Sequence, residues 1–316
     1  MRPSEPGGSA SPSTSDPDQP ANVPFMTDMH RLKMGGVHMV KHENPIHASV
    51  RLRKLAFDAP WAWLGAGWRD LWALPVYSML YGAVFALAAF VITFGLYWAG
   101  WESLILPLAG GFLLTGPMFA VGLYEASRRL EAGLPVRLAD MVFVGTRSPG
   151  QLAFLGVGLL ILFFVWLEIA LLLFMLFVGP TDLPHASEFV PALLFTWSGL
   201  GLLCAGTVAG ALLAFAVYAV TAISVPLLME RKIDVVTAAM SSIEAIRRNP
   251  KPMLLWAALI AAMIAVGFAT LFAGLAIVFP LIGHATWHAY RATVAPEPKP
   301  ASRRKAPVRG RGACRR

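Results

Sequence analysis

The sequence predicts an all-α, polytopic membrane protein of about six transmembrane helices, arranged as three hairpins that each follow a short amphipathic interfacial helix. Long runs free of acidic and basic side chains carry the first part of this prediction. Residues 71 to 101, 103 to 124, 189 to 229 and 252 to 290 contain none, and 148 to 181 contains only Glu168. Eighteen or more apolar residues suffice to cross a hydrocarbon core about 30 Å thick as a helix. Composition agrees: hydrophobic residues make up 57% and charged residues 14%, where a soluble domain carries about 25% charged. The third observation is that lysine and arginine are confined to patches between these runs.

Those patches set the expected topology, because short loops rich in Lys and Arg stay cytoplasmic. The loop 125 to 147 holds Arg128, Arg129, Arg137 and Arg147, and the loop 230 to 251 holds Arg231, Lys232, Arg247, Arg248 and Lys251. Both belong with the basic C-terminus. The connections containing Glu102, Asp182 and Glu188 carry no Lys or Arg and belong on the other side. All patches are accommodated if 189 to 229 crosses once and 252 to 290 twice. The helices are then expected near 75 to 98, 104 to 124, 152 to 177, within 190 to 226, 253 to 270 and 273 to 289. A straight helix over the 41 residues of 189 to 229 would be about 62 Å long, so the fourth must project, tilt or break. Tyr77 marks the inner end of the first span, and Tyr97, Trp98 and Trp101 its outer end.

Amphipathic segments precede the hairpins. In the first, Trp61, Leu64, Trp68 and Leu71 or Trp72 form a stripe with Arg69 and Asp70 opposite, ending at Pro75. In the third, Val236, Ala239, Met240, Ile243 and Ile246 share a face, with Asp234 as N-cap and Asn249-Pro250 as the stop. The middle segment, 137 to 149, is degenerate. Such helices lie in the headgroup plane with Trp and Leu toward the acyl chains.

Residues 1 to 50 form a loosely ordered arm rich in Pro, Ser and Gly, 51 to 292 the transmembrane domain, and 293 to 316 a disordered polybasic tail. No cleavable signal pattern opens the chain, so the first membrane helix is expected to direct insertion. Cys204 and Cys314 imply no disulfide framework. In the tail, Arg303, Arg304, Lys305, Arg309 and Arg311 are expected to touch anionic lipids, each positive charge contributing about 1 kcal/mol near such a leaflet. Without aromatic interleaving, nucleic acid is not the expected partner; a membrane protein is a further candidate.

Few side chains point to chemistry. Glu168 sits within the third span, where an acidic residue costs roughly 2.5 to 3.5 kcal/mol on insertion scales, so it is expected to face the bundle interior. There it would serve either as an ion, proton or substrate contact or as a structural hydrogen bond to Thr93, Thr196, Thr207 or Tyr218. His284 and His288, four apart, project from one side of the sixth helix. They could share a metal or flank a haem, or anchor the helix end together with Trp287, Tyr290 and Arg291. His38 and His42 repeat the spacing in the arm. Pro107, Gly110, Gly111, Gly116 and Pro117 break the second span, as transporters break helices at substrate sites and as packing kinks also require. Gly206 and Gly210 offer a small-residue face. No catalytic motif is present, so neither an enzyme nor a cofactor is expected.

Three stretches, Ala66–Leu71, Gly116–Pro117 with Gly122–Arg129, and Gly283–Arg291, carry a resemblance over about residues 50 to 292. On them the chain resembles a family of predicted bacterial integral membrane proteins of unassigned function, DUF2189-like, some labelled cytochrome c oxidase subunits. The resemblance implies a multi-pass inner-membrane location and marks Tyr124, Glu125, Arg128 and Arg129 as a cytoplasmic-end motif. It supplies no reaction. A haem-copper catalytic subunit needs several membrane histidines, whereas only His284 and His288 lie in an apolar run, so a catalytic oxidase role is rejected. The leading expectation is a non-enzymatic structural or accessory protein; a small-solute or proton-coupled transporter using Glu168 is the rival.

Overall fold

Proline sets the entry into three of the long helices. The ring of a proline excludes the preceding residue from helical backbone angles, yet is itself well suited to the first helical position. Leu74, Ser148 and Asn249 accordingly adopt almost the same conformation, φ −131° and ψ 54°, φ −134° and ψ 64°, and φ −132° and ψ 56°. Each turns the chain from a preceding segment into a helix that begins at Pro75, Pro149 or Pro250.

The computed structural model describes residues 50–179 and 186–297. Among these residues the chain is helical throughout, with one isolated bridge between Leu52 and Val294. The order is α1 (Ala59–Ala73), α2 (Pro75–Trp98), a 3-10 turn at Glu102–Leu104, α3 (Ile105–Phe119), α4 (Val121–Glu131), α5 (Leu138–Val142), α6 (Pro149–Phe177), α7 (Ala186–Phe195), α8 (Trp197–Thr221), α9 (Ser224–Glu230), α10 (Val235–Arg248), α11 (Pro250–Ala269) and α12 (Leu275–Thr293). Five stretches are long and apolar enough to cross a membrane: Pro75–Trp98, Glu102–Glu131, Pro149–Phe177, Trp197–Glu230 and Pro250–Ala269. The sixth expected helix, α12, forms, but two histidines and Arg291 make it less apolar. The uncharged run 189 to 229, expected as the fourth crossing, breaks at Thr196 and again at Ala222–Ile223.

Helix α12 occupies the centre. It packs along α1, α2, α4 and α11, and glycines permit the close approach that helices in lipid rely on. A Cβ at Gly67 of α1 would lie 2.6 Å from the Ala285 nitrogen, and one at Gly283 would lie 2.5 Å from a Leu123 methyl of α4. Gly82 of α2 packs against Ala276 and Pro280. By contrast α2 and its sequence neighbour α3 touch little, and α3 packs chiefly on α6. The principal contacts of α2 and α3 therefore run to helices of other pairs, α12 and α6, rather than to each other.

The amphipathic helices leave several of their large apolar residues outside. In α1 the buried positions are Pro60, Trp63, Ala66, Gly67 and Leu71, while Trp61, Trp68 and Trp72 are exposed. In α10, Ala238, Ser242 and Ala245 are buried while Val236 and Met240 are exposed. Outward tryptophans and aliphatics suit a helix whose surroundings are lipid headgroups and acyl chains rather than water. Asp234 caps α10 as expected, its carboxylate accepting from the Thr237 amide at 2.8 Å.

The ends of the domain meet. Arg53 N–H donates to Thr293 O and Ala295 N–H to Arg51 O, both at 2.8 Å. Asn249 fastens the same segment, accepting from Leu55 N–H at 2.9 Å and donating to Arg53 O at 3.0 Å. Ordered structure therefore continues past residue 292, because residues 293–295 pair with 51–53. The tail arginines Arg303, Arg304, Arg309 and Arg311, Lys305, and His38 and His42 lie outside the described residues.

Candidate functional site

At the arginine-rich end, four helices bring polar side chains into one buried cluster. Asp70 (α1) lies one turn before the Leu74 corner. Its Oδ2 accepts from the Ser127 hydroxyl of α4 at 2.7 Å and from His288 Nε2 of α12 at 2.8 Å. Ser127 also lies 2.8 Å from His284 Nδ1, and His284 Nε2 lies 3.0 Å from the Ser78 hydroxyl of α2. Ser78, Ser127 and His284 are wholly buried.

The donor inventory gives this chain one direction. A carboxylate only accepts, and a serine hydroxyl has one proton to give. Ser127 gives its proton to Asp70, so His284 must donate from Nδ1 to Ser127 and accept at Nε2 from Ser78. One neutral tautomer of His284 satisfies all three helices at once. Both ring nitrogens are thereby engaged within the protein. No group of three His, Cys, Asp or Glu side chains able to hold a metal occurs among the described residues.

A second network lies beside the first. Glu125, nearly fully buried, accepts from Arg128 Nε at 2.7 Å and Nη2 at 2.6 Å, and from Arg129 Nε at 2.8 Å. Helical spacing explains this, since residues three and four apart share a face. Arg129 continues to Asp140 of α5 at 3.0 Å. The final turns of α12 are fastened to the ends of α4 and α9. Trp287 Nε1 donates to Glu131 at 3.0 Å, Arg291 pairs with Glu131 at 2.9 Å and with Glu230 at 3.3 Å, and the Tyr290 hydroxyl donates to Glu230. Tyr124 is buried in the same core, beside Leu123 and Ala126.

The two motifs singled out from sequence, Tyr124–Arg129 and His284–Arg291, thus converge. Asp70, Ser78, Ser127, Glu131 and Glu230 complete the cluster. The sequence contained one signal for Asp70 and Ser127, since both sit inside stretches that carry the family resemblance. Nothing local marked Ser78, Glu131 or Glu230.

Glu168 is placed otherwise than expected: its side chain is exposed on the outer face of α6. The inward face of that helix is taken by Leu152, Leu155, Leu159 and Trp166. At 100° per residue, Glu168 stands about 200° round from Trp166. Two of its four supposed partners are engaged elsewhere, Tyr218 donating to Met253 O at 2.7 Å and Thr196 capping α8 through the Gly199 amide at 3.0 Å.

Helix α3 runs unbroken through Pro107, Gly110, Gly111, Gly116 and Pro117, and Trp166 accounts for one of its glycines. Its indole lies against Gly110 of α3 and Gly210 of α8, where an added Cβ would meet the ring at 2.9 and 3.0 Å. Its Nε1 donates to Pro107 O at 2.7 Å. Pro107 and Gly110, expected as breakers, therefore serve helix packing around one tryptophan.

No curated protein and no solved structure matches the chain. Residues 105–230, which contain α3 to α9 and the Glu125–Arg128–Arg129 cluster, match the model of the family described as predicted integral membrane protein (DUF2189), the family that the sequence itself resembles.

Proposed function

We infer that the chain is a non-enzymatic component of the bacterial inner membrane, with six apolar segments entering as three pairs and both ends of the domain in the cytoplasm. Its role is structural or accessory, within the envelope or a membrane complex. The observation that carries this reading is the way the polar side chains are used. Asp70, Ser127, His284 and His288 satisfy one another between helices, as do Glu125, Glu131 and Glu230 with their arginines. A buried network in which every member is paired specifies one arrangement of its helices. Groups consumed in this way hold a scaffold together, whereas a solute pathway needs polar groups directed into a cavity.

The topology is supported by the gathering of Arg128, Arg129, Arg231, Arg248 and Arg291 at one end, with Trp98 and Trp101 exposed at the other. The pair α11 and α12 is the shallowest. Its turn packs beside Ala86 and Ala89 of α2, about 14 Å short of Trp98 at 1.5 Å per residue.

Two measurements test the reading. Cysteines introduced singly at Gly133 and Gly100 in the intact chain should label from the cytoplasmic and periplasmic sides respectively. Native electrophoresis of gently solubilised membranes should find the protein in an assembly larger than one chain. A lone monomer that carries solute or proton flux in proteoliposomes, abolished by Glu168→Gln, would overturn the accessory role.

A further inference from the structure

Two cavities of about 340 and 440 Å³ lie end to end in the apolar part of the protein. They share Leu113 of α3, Ala211 and Ala214 of α8, and Ala261 of α11 as walls. Each alone falls within the roughly 300–1,000 Å³ of ordinary ligand pockets. Helices α8 and α11 are tied at the basic end, where Tyr218 donates to Met253 O; beyond that tie the cavities separate them. The small residues there, which elsewhere let helices touch, line a cleft with α3 as its floor.

The cleft is built rather than left over. The Trp166 indole, held by Pro107 O and lodged between Gly110 and Gly210, props α3 and α8 at a fixed separation. No charged residue contributes to either lining. Three of the hydroxyls present are already spent on backbone carbonyls: Tyr218 on Met253, Thr221 on Val217 and Thr286 on Ile282. Ser103, Tyr124 and Thr207 remain, and a wall with no charge and so few scattered hydroxyls favours neither an ion nor a sugar. Apolar cavities of this kind stay free of water and take apolar guests.

We propose that this cleft between α3, α8 and α11 is a binding site for one long hydrocarbon chain, taken laterally from the bilayer. The guest is the acyl chain of a phospholipid or the isoprenoid tail of a membrane lipid. Both are uncharged along their length and both are present where the cleft lies. The site is separate from the Asp70–His284 cluster and stands whether or not the accessory role does.

The test uses the full chain in nanodiscs of phosphatidylethanolamine and phosphatidylglycerol, doped with a phosphatidylcholine carrying a diazirine in mid-chain. After photolysis, peptides containing Ala211, Ala214 and Ala261 should carry more label than the outer face of α6. Ala211→Phe and Ala261→Phe, which fill the shared stretch, should reduce that label at least about fivefold, equivalent to weakening the chain's binding by that factor. Val208→Phe, on the exposed face of the same helix, should leave it unchanged. Should either phenylalanine variant fail to fold, Gly206→Leu fills the outer cavity at a position where an added Cβ meets nothing within 4 Å. Mass spectrometry of lipid extracted from protein purified out of native membranes identifies the guest: retained acyl lipid and retained isoprenoid lipid each support the site. Labelling that the filling variants do not reduce, or that is no denser in the cleft than on α6, overturns it.

Discussion

Replacing Asp70 with asparagine keeps the size of the side chain and removes its charge. In the native protein Oδ2 accepts two hydrogen bonds, from Ser127 at 2.7 Å and His288 at 2.8 Å. Hydrogen bonds to a charged group contribute about 1.5–3 kcal/mol each and neutral ones about 0.5–1.5. Both bonds end on this one oxygen, and the amide oxygen of asparagine, with two lone pairs, can accept both as neutral bonds. The gross loss is about 2–3 kcal/mol. The side chains of His288 and Asp70 are 25% and 16% exposed, so solvent screening lowers the expected loss to about 1–2 kcal/mol. For a domain of this size that corresponds to a fall in Tm of about 2–8 °C. The assay is thermal unfolding in detergent followed by tryptophan emission, with Trp63, Trp256 and Trp287 buried nearby as reporters. A double-mutant cycle with Ser127→Ala should give a coupling of about 0.5–3 kcal/mol, because both changes break the same bond. A Tm within about 1 °C of the native protein, or strict additivity in the cycle, would refute the claim that Asp70 joins α1 to α4 and α12.

Three further outcomes are expected. Gly67→Ala forces a Cβ to 2.6 Å from the Ala285 nitrogen and should destabilise by about 1–3 kcal/mol, whereas Gly65→Ala, two residues away in open space, should stabilise α1 by up to about 1 kcal/mol through helix propensity; opposite signs in the same unfolding assay are the check. Asp234→Ala removes the N-cap of α10 and should cost about 0.5–2 kcal/mol. Because hydrogen bonds from Thr237 hold the Asp234 carboxyl below its ordinary value of 3.8, its contribution is fully present above that value and fades as pH falls through the lower folded-state one, so native and variant stabilities should converge only in acid. Glu168→Leu exchanges an exposed carboxyl for an apolar side chain and should improve insertion by up to about 3 kcal/mol in a glycosylation-based insertion assay; a loss of folded protein would return Glu168 to an interior contact.

Helix existence was legible because it depends on runs and punctuation. Pro75, Pro149 and Pro250 each open a helix, and the run 252 to 290 divides into two helices at Thr270–Gly274. Facing was harder to read, because a lipid-exposed surface inverts the usual rule. On α1 Trp61, Trp68 and Trp72 turn outward while Trp63 is buried and Asp70 turns toward the protein, so polarity alone labelled that carboxylate a surface residue. Glu168 misled in the opposite direction: the cost of a charge in hydrocarbon argued for the interior, but Trp166 and the leucines a turn apart had already claimed that face. The cluster itself is a matter of partners distant in sequence. Asp70 and His288 are 218 residues apart, and Ser127 and His284 are 157 apart, and no periodicity encodes which ends of which helices will meet.

The central position of α12 also bears on the order in which the protein can be made. Among the described helices α1 and α2 leave the ribosome first, yet the surfaces they bury, Gly67 against Ala285 and Gly82 against Ala276, belong to the last of them, α12. Until that helix arrives, Asp70 has Ser127 but not His288, Ser127 lacks His284 beyond it, and residues 51–53 have no strand-like partner in 293–295. Contacts so far apart along a chain form late. A protein stopped just before residue 275 would therefore hold its first third to the rest by a few contacts alone, such as Asp70 with Ser127 and Leu55 with Asn249, and quality-control proteases would meet it in that state.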